Sequence, residues 1–453
     1  MIAADDVVDR ALAASRADET VVIVADTAEA SLRWAGNSMT TNGRTSSRSW
    51  TVVSIDRTGE QARVGSVSST SVDPSDIEMV VRASEAAAAD AEPAADAMSA
   101  LAAVTAVDGP AAPVESPRMF ERLAAPLAEA FSVADKLYGF ALQQITTTTL
   151  GTSAGLRRRY TDPTGSIELN GKRGAGASAW VGAHTKDFAD VDVPTLLAEL
   201  DTRLDWTARR VELPAGRYDT VLPPSPVADL MIDLMWSMEG RGAEEGHTAF
   251  TRSGGGTRVG ERLTDLPLTL RSDPHAAGLE YAPFVATGAS SEAISVFDNG
   301  MPIERVDWIR DGTIGALAYP RSAAAEFGAP VAVPGENLLL TGGSAASTAD
   351  LVADVERGLL LTTLWYIRMV DPITLLLTGL TRDGVYLIED GAVTAAVNNF
   401  RFNESPLDLL RRVRAAGATV PTLPREWKDW FTRTAMPPLR IPDFHMSSVS
   451  PAT

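Results

Sequence analysis

Four histidines, no cysteine and a dispersed set of carboxylates bound the chemistry open to this chain. Without a thiol, disulfides, thiolate catalysis and thiolate metal ligation are all excluded. Helical metal sites commonly take two ligands at i and i+4 or i+5, yet no two of His184, His247, His275 and His445 share a helix or hairpin. The densest set of ligand types is Glu244-Glu245-Gly246-His247. It reads as a solvated loop, because adjacent residues do not converge on one ion. Asp187, Asp190 and Asp192 read as a charged surface turn, since their spacing lacks the glycine and distal glutamate of a calcium loop. Gly151-Thr152-Ser153-Ala154-Gly155 matches G-x-S-x-G, where a strained strand-to-helix turn exposes a nucleophilic serine. Here a basic stretch, 156–159, and the turn residues Asp162-Pro163 follow instead of a helix, so Ser153 reads as a small residue between two strands. Phosphate-binding signals are weak. Gly165 stands one residue too far from Gly171-Lys172-Arg173 for a P-loop, Arg173 replaces its Ser or Thr, and the run Ser253-Gly254-Gly255-Gly256-Thr257 has no following lysine. Trp427, Trp430 and Phe431 have the types of a nucleic-acid stacking platform, but an acidic chain favours burial or a subunit contact for them.

Hydrophobic periodicity supplies the elements that must position these groups. It predicts a helix over 5–15, strands over 21–25, 31–39 and 50–55, and a helix over 76–91. Residues 83–117 contain no Lys or Arg and are rich in Ala, Pro and acid, which predicts a mobile acidic insert or linker. A helix over 119–134 follows, then strand runs over 137–180 broken by Gly151, Gly155, Gly165, Gly171 and Gly174, then a helix over 193–210. Pro214-Ala215-Gly216 marks a boundary. Beyond it come a strand over 218–222 and a helix over 225–239, with Ser225 as N-cap and Pro226 in its first turn. Strands over 293–297 and 303–309 are expected to flank Asp298-Asn299-Gly300, and Asp383-Gly384 and Asp390-Gly391 are hairpin signals. The last helix is expected over 407–416. Strands grouped apart from helices predict an α+β fold: an N-terminal domain of mixed helices and strands over 1–212, then a strand-rich C-terminal domain over 213–453.

Charge and hydropathy narrow the function classes. A net charge of −19 opposes non-specific binding to nucleic acid or an anionic membrane, both polyanions. No basic segment followed by an apolar run opens the chain, and no apolar stretch approaches the ~18 residues that span a bilayer. The cytoplasm is the expected compartment.

Two stretches carry a family resemblance. In the first, Gly379, Gly384, Tyr386, Ile388, Glu389 and Gly391 form the pattern G-x-x-x-x-G-x-(Y/W)-x-I-E-x-G; in the second, Ile232-Asp233-Leu234-Met235-Trp236-Ser237 lies on the helix predicted after 218–222. The first resembles the C-terminal signature of the TldD/PmbA family of metallopeptidases and metallopeptidase-like proteins, and Trp34 and Asn37 resemble its N-terminal strand pair. In the peptidase branch, as the resemblance implies, H-E-x-x-x-H on the second stretch binds zinc through its histidines and uses the glutamate as general base, with a cysteine as further ligand. Ile232 and Ser237 occupy the histidine positions and Asp233 that of the base. A base without a metal-bound water has no evident chemistry. The resemblance therefore implies the TldE or PmbA branch: a non-catalytic subunit with no cofactor of its own, paired with a TldD-like paralogue that carries H-E-x-x-x-H and the zinc. Such a pair would proteolyse unfolded or extended peptides held along a strand edge; a homodimer is open to the chain when isolated. The alternatives are a self-sufficient hydrolase using carboxylates such as Asp233, Glu239 or Glu244, and a stand-alone peptide-binding scaffold.

Overall fold

The computed structural model describes residues 2–102, 108, 117–132, 135–174 and 176–451. Helix α1 (Ala4–Ala14) leads into β1 (Glu19–Ala35), which unites the two strands expected at 21–25 and 31–39. The charge at Asp26 does not end the strand, because Arg48 on the neighbouring strand pairs with it at 2.6 Å. Strands β2 (Met39–Thr58) and β3 (Gln61–Ser69) follow, then helices α2 (Asp76–Asp90) and α3 (Met119–Ala130). Strands β4 (Lys136–Thr152), β5 (Arg157–Arg173) and β6 (Ala177–Thr185) complete an antiparallel sheet in the order β3-β2-β1-β4-β5-β6. Side chains alternate across a strand, and β1 uses both faces. Val22, Val24, Ala30, Leu32 and Trp34 pack beneath helices, while Val21 and Ile23 face Phe284, Val296 and Phe297 from the second half of the chain. Asn37, at φ 65° in the β1–β2 turn, accepts from the Leu137 amide at 2.5 Å and donates to the Asp135 carbonyl at 2.9 Å. That gives the family-like asparagine a structural task.

The insert expected to be mobile is docked where it is described. Its first residues continue α2, and Ala94, Ala97, Met98 and Leu101 pack against Phe297 and its neighbours. Small apolar side chains spaced along an alanine-rich run suit a tight contact as well as they suit a linker. Residues 103–107 and 109–116 lie outside the described residues. Helix α4 (Val193–Asp205), N-capped by Asp192, ends sooner than expected in a 3-10 turn at Trp206–Ala208, and β7 (Arg210–Val211) follows.

The second half begins with β8 (Gly216–Leu222), α5 (Pro224–Trp236) and α6 (Gly240–Glu244). Then come β9 (Thr269–Ser272), β10 (Val306–Arg310), β11 (Thr313–Ile314), α7 (Arg321–Phe327), β12 (Asn337–Thr341), α8 (Thr348–Ala353) and β13 (Arg357–Leu361). Strands β14 (Leu364–Asp371), β15 (Leu376–Thr381), β16 (Val385–Glu389), β17 (Ala392–Val397) and β18 (Phe400–Glu404) precede α9 (Pro406–Arg412). The chain closes with β19 (Ala415–Ala416), β20 (Val420–Thr422), β21 (Arg433–Met436) and β22 (Leu439–Val449). One sheet has the order β11-β10-β9-β12-β21-β20; the other runs β14-β15-β18-β22-β8-β13-β16-β17-β7, with β19 paired to β22. The fold is α+β, 22% helix and 41% strand.

Helix α5 is the centre of this half. Every residue from Pro226 to Met235 is buried, as expected of a helix that is apolar nearly all round. Pro223 precedes it as N-cap, and the hydroxyl of Ser225, expected to cap, donates instead to the Leu423 carbonyl at 2.8 Å. Three further expectations are corrected. Residues 293–297 form no strand, and Val296–Asp298 is a 3-10 turn, with the buried Asn299 side chain bonded to both Thr287 backbone groups. The last helix stops at Arg412. Asp383-Gly384 is a crossover and not a hairpin, because β15 pairs with β14 and β18 whereas β16 pairs with β13 and β17. Asp390-Gly391 does form a hairpin turn, both residues at positive φ, 50° and 76°. A Cβ on Gly391 would lie 2.7 Å from the Ala353 carbonyl, so turn geometry and the packing of α8 both require glycine there.

Candidate functional site

Burial decides what the middle of α5 can do. Ile232 is fully enclosed in the core. The Asp233 carboxyl, one residue on, accepts from the Trp427 indole N–H at 3.2 Å, and burial pushes it up to about 7. Ser237 ends the helix with its hydroxyl donating to the Asp233 carbonyl at 2.8 Å. One turn earlier stands Asp229, fully buried, with Oδ1 accepting from the Glu426 amide at 3.0 Å and no partner for Oδ2 among the described residues. Burial holds its carboxyl well above the usual carboxylate range. Glu426 accepts from the amides of Tyr366 at 2.9 Å and Ile367 at 3.1 Å, on edge strand β14, with Arg368 at 3.3 Å. Trp427 also donates to the Asp229 carbonyl at 3.2 Å and meets Trp236 edge-on at 5.1 Å, and Phe431 meets Trp236 edge-on at 6.4 Å. Asp229, Asp233, Glu426 and Trp427 thus lock the segment before β21 onto α5.

Sequence reasoning missed half of this lock. Asp229 was visible as a second acid four residues before Asp233 on one helix face; nothing local marks Glu426. The acids named for a hydrolase have different partners: Glu244 accepts from the Tyr319 hydroxyl at 3.1 Å, Glu239 is half-buried beside Glu292, and Asp233 belongs to the lock. Ser153 lies in the β4–β5 turn, its Oγ accepting from the Thr20 amide at 3.0 Å, and a strand follows. The histidines stay apart. His184 is half-buried on β6 and held down to about 4, chiefly by desolvation and then by Arg433; His247 is exposed beside Glu245; His275 lies in a turn after β9; and His445 is on β22. Asp187, Asp190 and Asp192 each serve their own turn or cap. Arg173 is held by Asp135, Asp201 and Asp205. Trp427 and Phe431 pack as described, whereas Trp430 is 81% exposed. Among the described residues, no group of three His, Asp or Glu side chains could hold a metal.

The signature residues divide between places. Gly379 lies on β15, Gly384 in the crossover against Thr362, Tyr386 is buried on β16, and Glu389 pairs with Arg209 and accepts from Thr394. Beside them is a cavity of about 800 Å³. Its lining includes Trp180, Val181 and Gly182 of β6 and Val420, Pro421 and Thr422 of β20. Each strand is the last in its sheet, so unpaired strand edges border the cavity.

Residues 215–448 match the family model described as the PmbA/TldA metallopeptidase C-terminal domain. The chain belongs to the TldD/PmbA family. Its fold is similar over almost the whole length to TldE from Thermococcus kodakarensis, with TM-score 0.77, 14% identity, and 97% of this chain and 99% of that chain covered. It is equally similar to a proposed modulator of DNA gyrase from Bacteroides thetaiotaomicron, with TM-score 0.77, 15% identity and 98% of each chain covered. A second proposed modulator of a DNA gyrase, from Thermotoga maritima, gives TM-score 0.76 at 13% identity, covering 97% and 99%. No curated protein matches the chain. At these identities the solved structures establish the fold alone.

The family's description implies a metal, and the residues of this chain do not fit one at α5. Ile232 offers no donor, the Ser237 hydroxyl is spent on the backbone, Asp233 is held by Trp427, and the sequence has no cysteine. A titration tests this placement of Asp233. The unfolded carboxyl releases its proton near 3.8, the folded one near 7, so the folded state loses stability as pH rises between these values and stays low above them. Asp233→Asn removes that loss. It should leave stability nearly unchanged at pH 4 and raise it by a few kcal/mol at pH 8, at about 1.4 kcal/mol per pH unit. Urea denaturation at both values checks it; a parallel pH profile for variant and parent would place Asp233 in water.

Proposed function

We propose that this chain is the non-catalytic, TldE-like subunit of a TldD/TldE-type zinc metallopeptidase that cleaves unfolded or extended peptides. A TldD-like paralogue carrying H-E-x-x-x-H supplies the zinc and the hydrolysis. The observation that carries the reading is α5: its family histidine positions are a core isoleucine and a helix-ending serine, and its acid is bonded to an indole. Strand edges bordering the 800 Å³ cavity suit an extended peptide, since main-chain hydrogen bonds demand little of its sequence. A carboxylate hydrolase is disfavoured because Asp233 is committed to the Trp427 indole and Glu244 to the Tyr319 hydroxyl. No helix among the described residues is long and apolar enough to cross a membrane, and the cytoplasm is the proposed compartment.

Elemental analysis of the isolated chain, purified without chelator, should find far less than one zinc per chain. Asp233→Ala and Ser153→Ala should leave hydrolysis by the reconstituted complex within about twofold, against the roughly hundredfold loss that follows removal of a general acid or base. One tightly held transition metal per chain, or a hundredfold loss in either folded variant, would sink the reading.

A further inference from the structure

A second cleft, of about 580 Å³, opens where the start of β6 meets the 382–383 and 425–428 segments. Its walls carry four cationic side chains, Lys172, Arg382, Arg425 and Lys428, against the two carboxylates of Glu168 and Asp383. In a chain of net charge −19 this is a local inversion of sign. An anion repelled by most of the surface is drawn to it.

Two of the four cations are already committed. The Arg425 guanidinium lies 5.5 Å from the Trp180 ring and 5.4 Å from that of Trp365, and donates to Asp383 at 2.8 Å and to the Arg382 carbonyl at 3.1 Å. Lys428 stands 3.8 Å from Glu168 and 3.5 Å from Asp429. The other two are available. Lys172 is exposed over the Tyr138 ring at 5.0 Å and makes no ion pair among the described residues. Arg382 is 47% exposed and, among the described residues, pairs only with Asp383, at 3.6 Å, a carboxylate that Arg425 engages more closely.

We propose that Lys172 and Arg382 bind the C-terminal carboxylate of an extended peptide. The cations select that end of a peptide over its amine, and the direction of β6 then makes the added strand antiparallel. Ala177 and Ser178, at the start of this edge strand, line the cationic cleft, whereas Trp180 to Gly182 line the larger cavity. A peptide added antiparallel to β6 therefore has its C-terminus at the cleft and its preceding residues in the cavity, about 3.4 Å per residue apart. The Trp180 carbonyl already accepts from Arg203, so the end group, and not an unbroken ladder, supplies most of the affinity. The ligand's identity rests on the peptide reading above; the cleft does not.

Calorimetry on the full chain compares a hexapeptide with a free C-terminus, its C-terminal amide, and the amide carrying an internal glutamate, with inorganic phosphate as a further probe. The free acid should bind about tenfold more tightly than either amide, the scale of a charge-assisted pair. Lys172→Ala/Arg382→Ala should abolish that difference without changing the melting temperature, and Lys172→Arg/Arg382→Lys should retain it. Equal binding of acid and amide, discrimination that survives the double alanine variant, a glutamate amide equal to the free acid, or phosphate binding as tightly as the acid would each overturn the assignment. Discrimination in a chain that never pairs with a paralogue would reject the subunit role and leave this site standing.

Discussion

Arg433→Met is expected to destabilise the chain by about 2–4 kcal/mol at pH 8, toward the lower end of the cost of leaving a charge without its partner because the carboxylate left behind is only partly buried, and by clearly less at pH 5. Arg433, 5% exposed on β21, donates to Asp162 on β5 at 2.5 Å and so ties the first sheet to one from the second half of the chain. Burial pushes the Asp162 carboxyl up to about 6 even with Arg433 beside it, and removing the guanidinium raises it further. The unfolded carboxyl ionises near 3.8, so the folded variant is penalised increasingly as pH rises from there through its higher folded value, and little below it. His184 acts in the same direction. Arg433 helps hold that imidazole near 4, which costs the parent stability as pH falls below about 6.5, and the variant is partly relieved of this cost. Guanidinium denaturation at pH 8 and pH 5 measures the difference; an equal loss at both would mean that packing, not charge, joins the sheets here.

Gly65→Val is expected to loosen α2 from the first sheet. A Cβ at Gly65 would lie 2.1 Å from the Ser84 carbonyl oxygen, 2.2 Å from the Ala88 amide nitrogen and 2.8 Å from the Ala87 carbonyl carbon. All are backbone, so no side chain can turn aside. The same close contact is made by Ser54 and Ser84, whose hydroxyls meet at 2.7 Å. Overpacking costs about 1–3 kcal/mol where neighbours can shift and more where they cannot; here at least about 3 kcal/mol should be lost for Val, and less for Ala. Hydrogen exchange should quicken first in α2 and β3. A valine variant as stable as the parent would show that α2 yields freely.

Where the sequence was readable, the physics was local. Pro226 at a helix start marked α5, and Asp390-Gly391 marked its hairpin because a turn with two positive φ values restricts its residues. Asp383-Gly384 carries the same letters but joins strands that do not pair with each other, a distinction made only by the sheet. The length of β1 depended on Arg48 neutralising Asp26 across the sheet. The lock on α5 needed Asp229 and Glu426, 197 residues apart, and the Arg433–Asp162 pair spans 271. No window of sequence contains such a pair. The family-like letters implied only which helix to look at; burial shows that its Ile232 lies in the core, and the hydrogen bonds show what holds Asp233 and Ser237.

Co-expression with the H-E-x-x-x-H paralogue, followed by size exclusion, zinc analysis and a peptide-cleavage assay on each chain and on the pair, tests the central claim most directly. The account predicts that the two chains co-elute, that zinc resides only in the paralogue and that cleavage requires both. A paralogue fully active alone that never co-elutes with this chain, or a zinc-loaded and active chain without its partner, would contradict it.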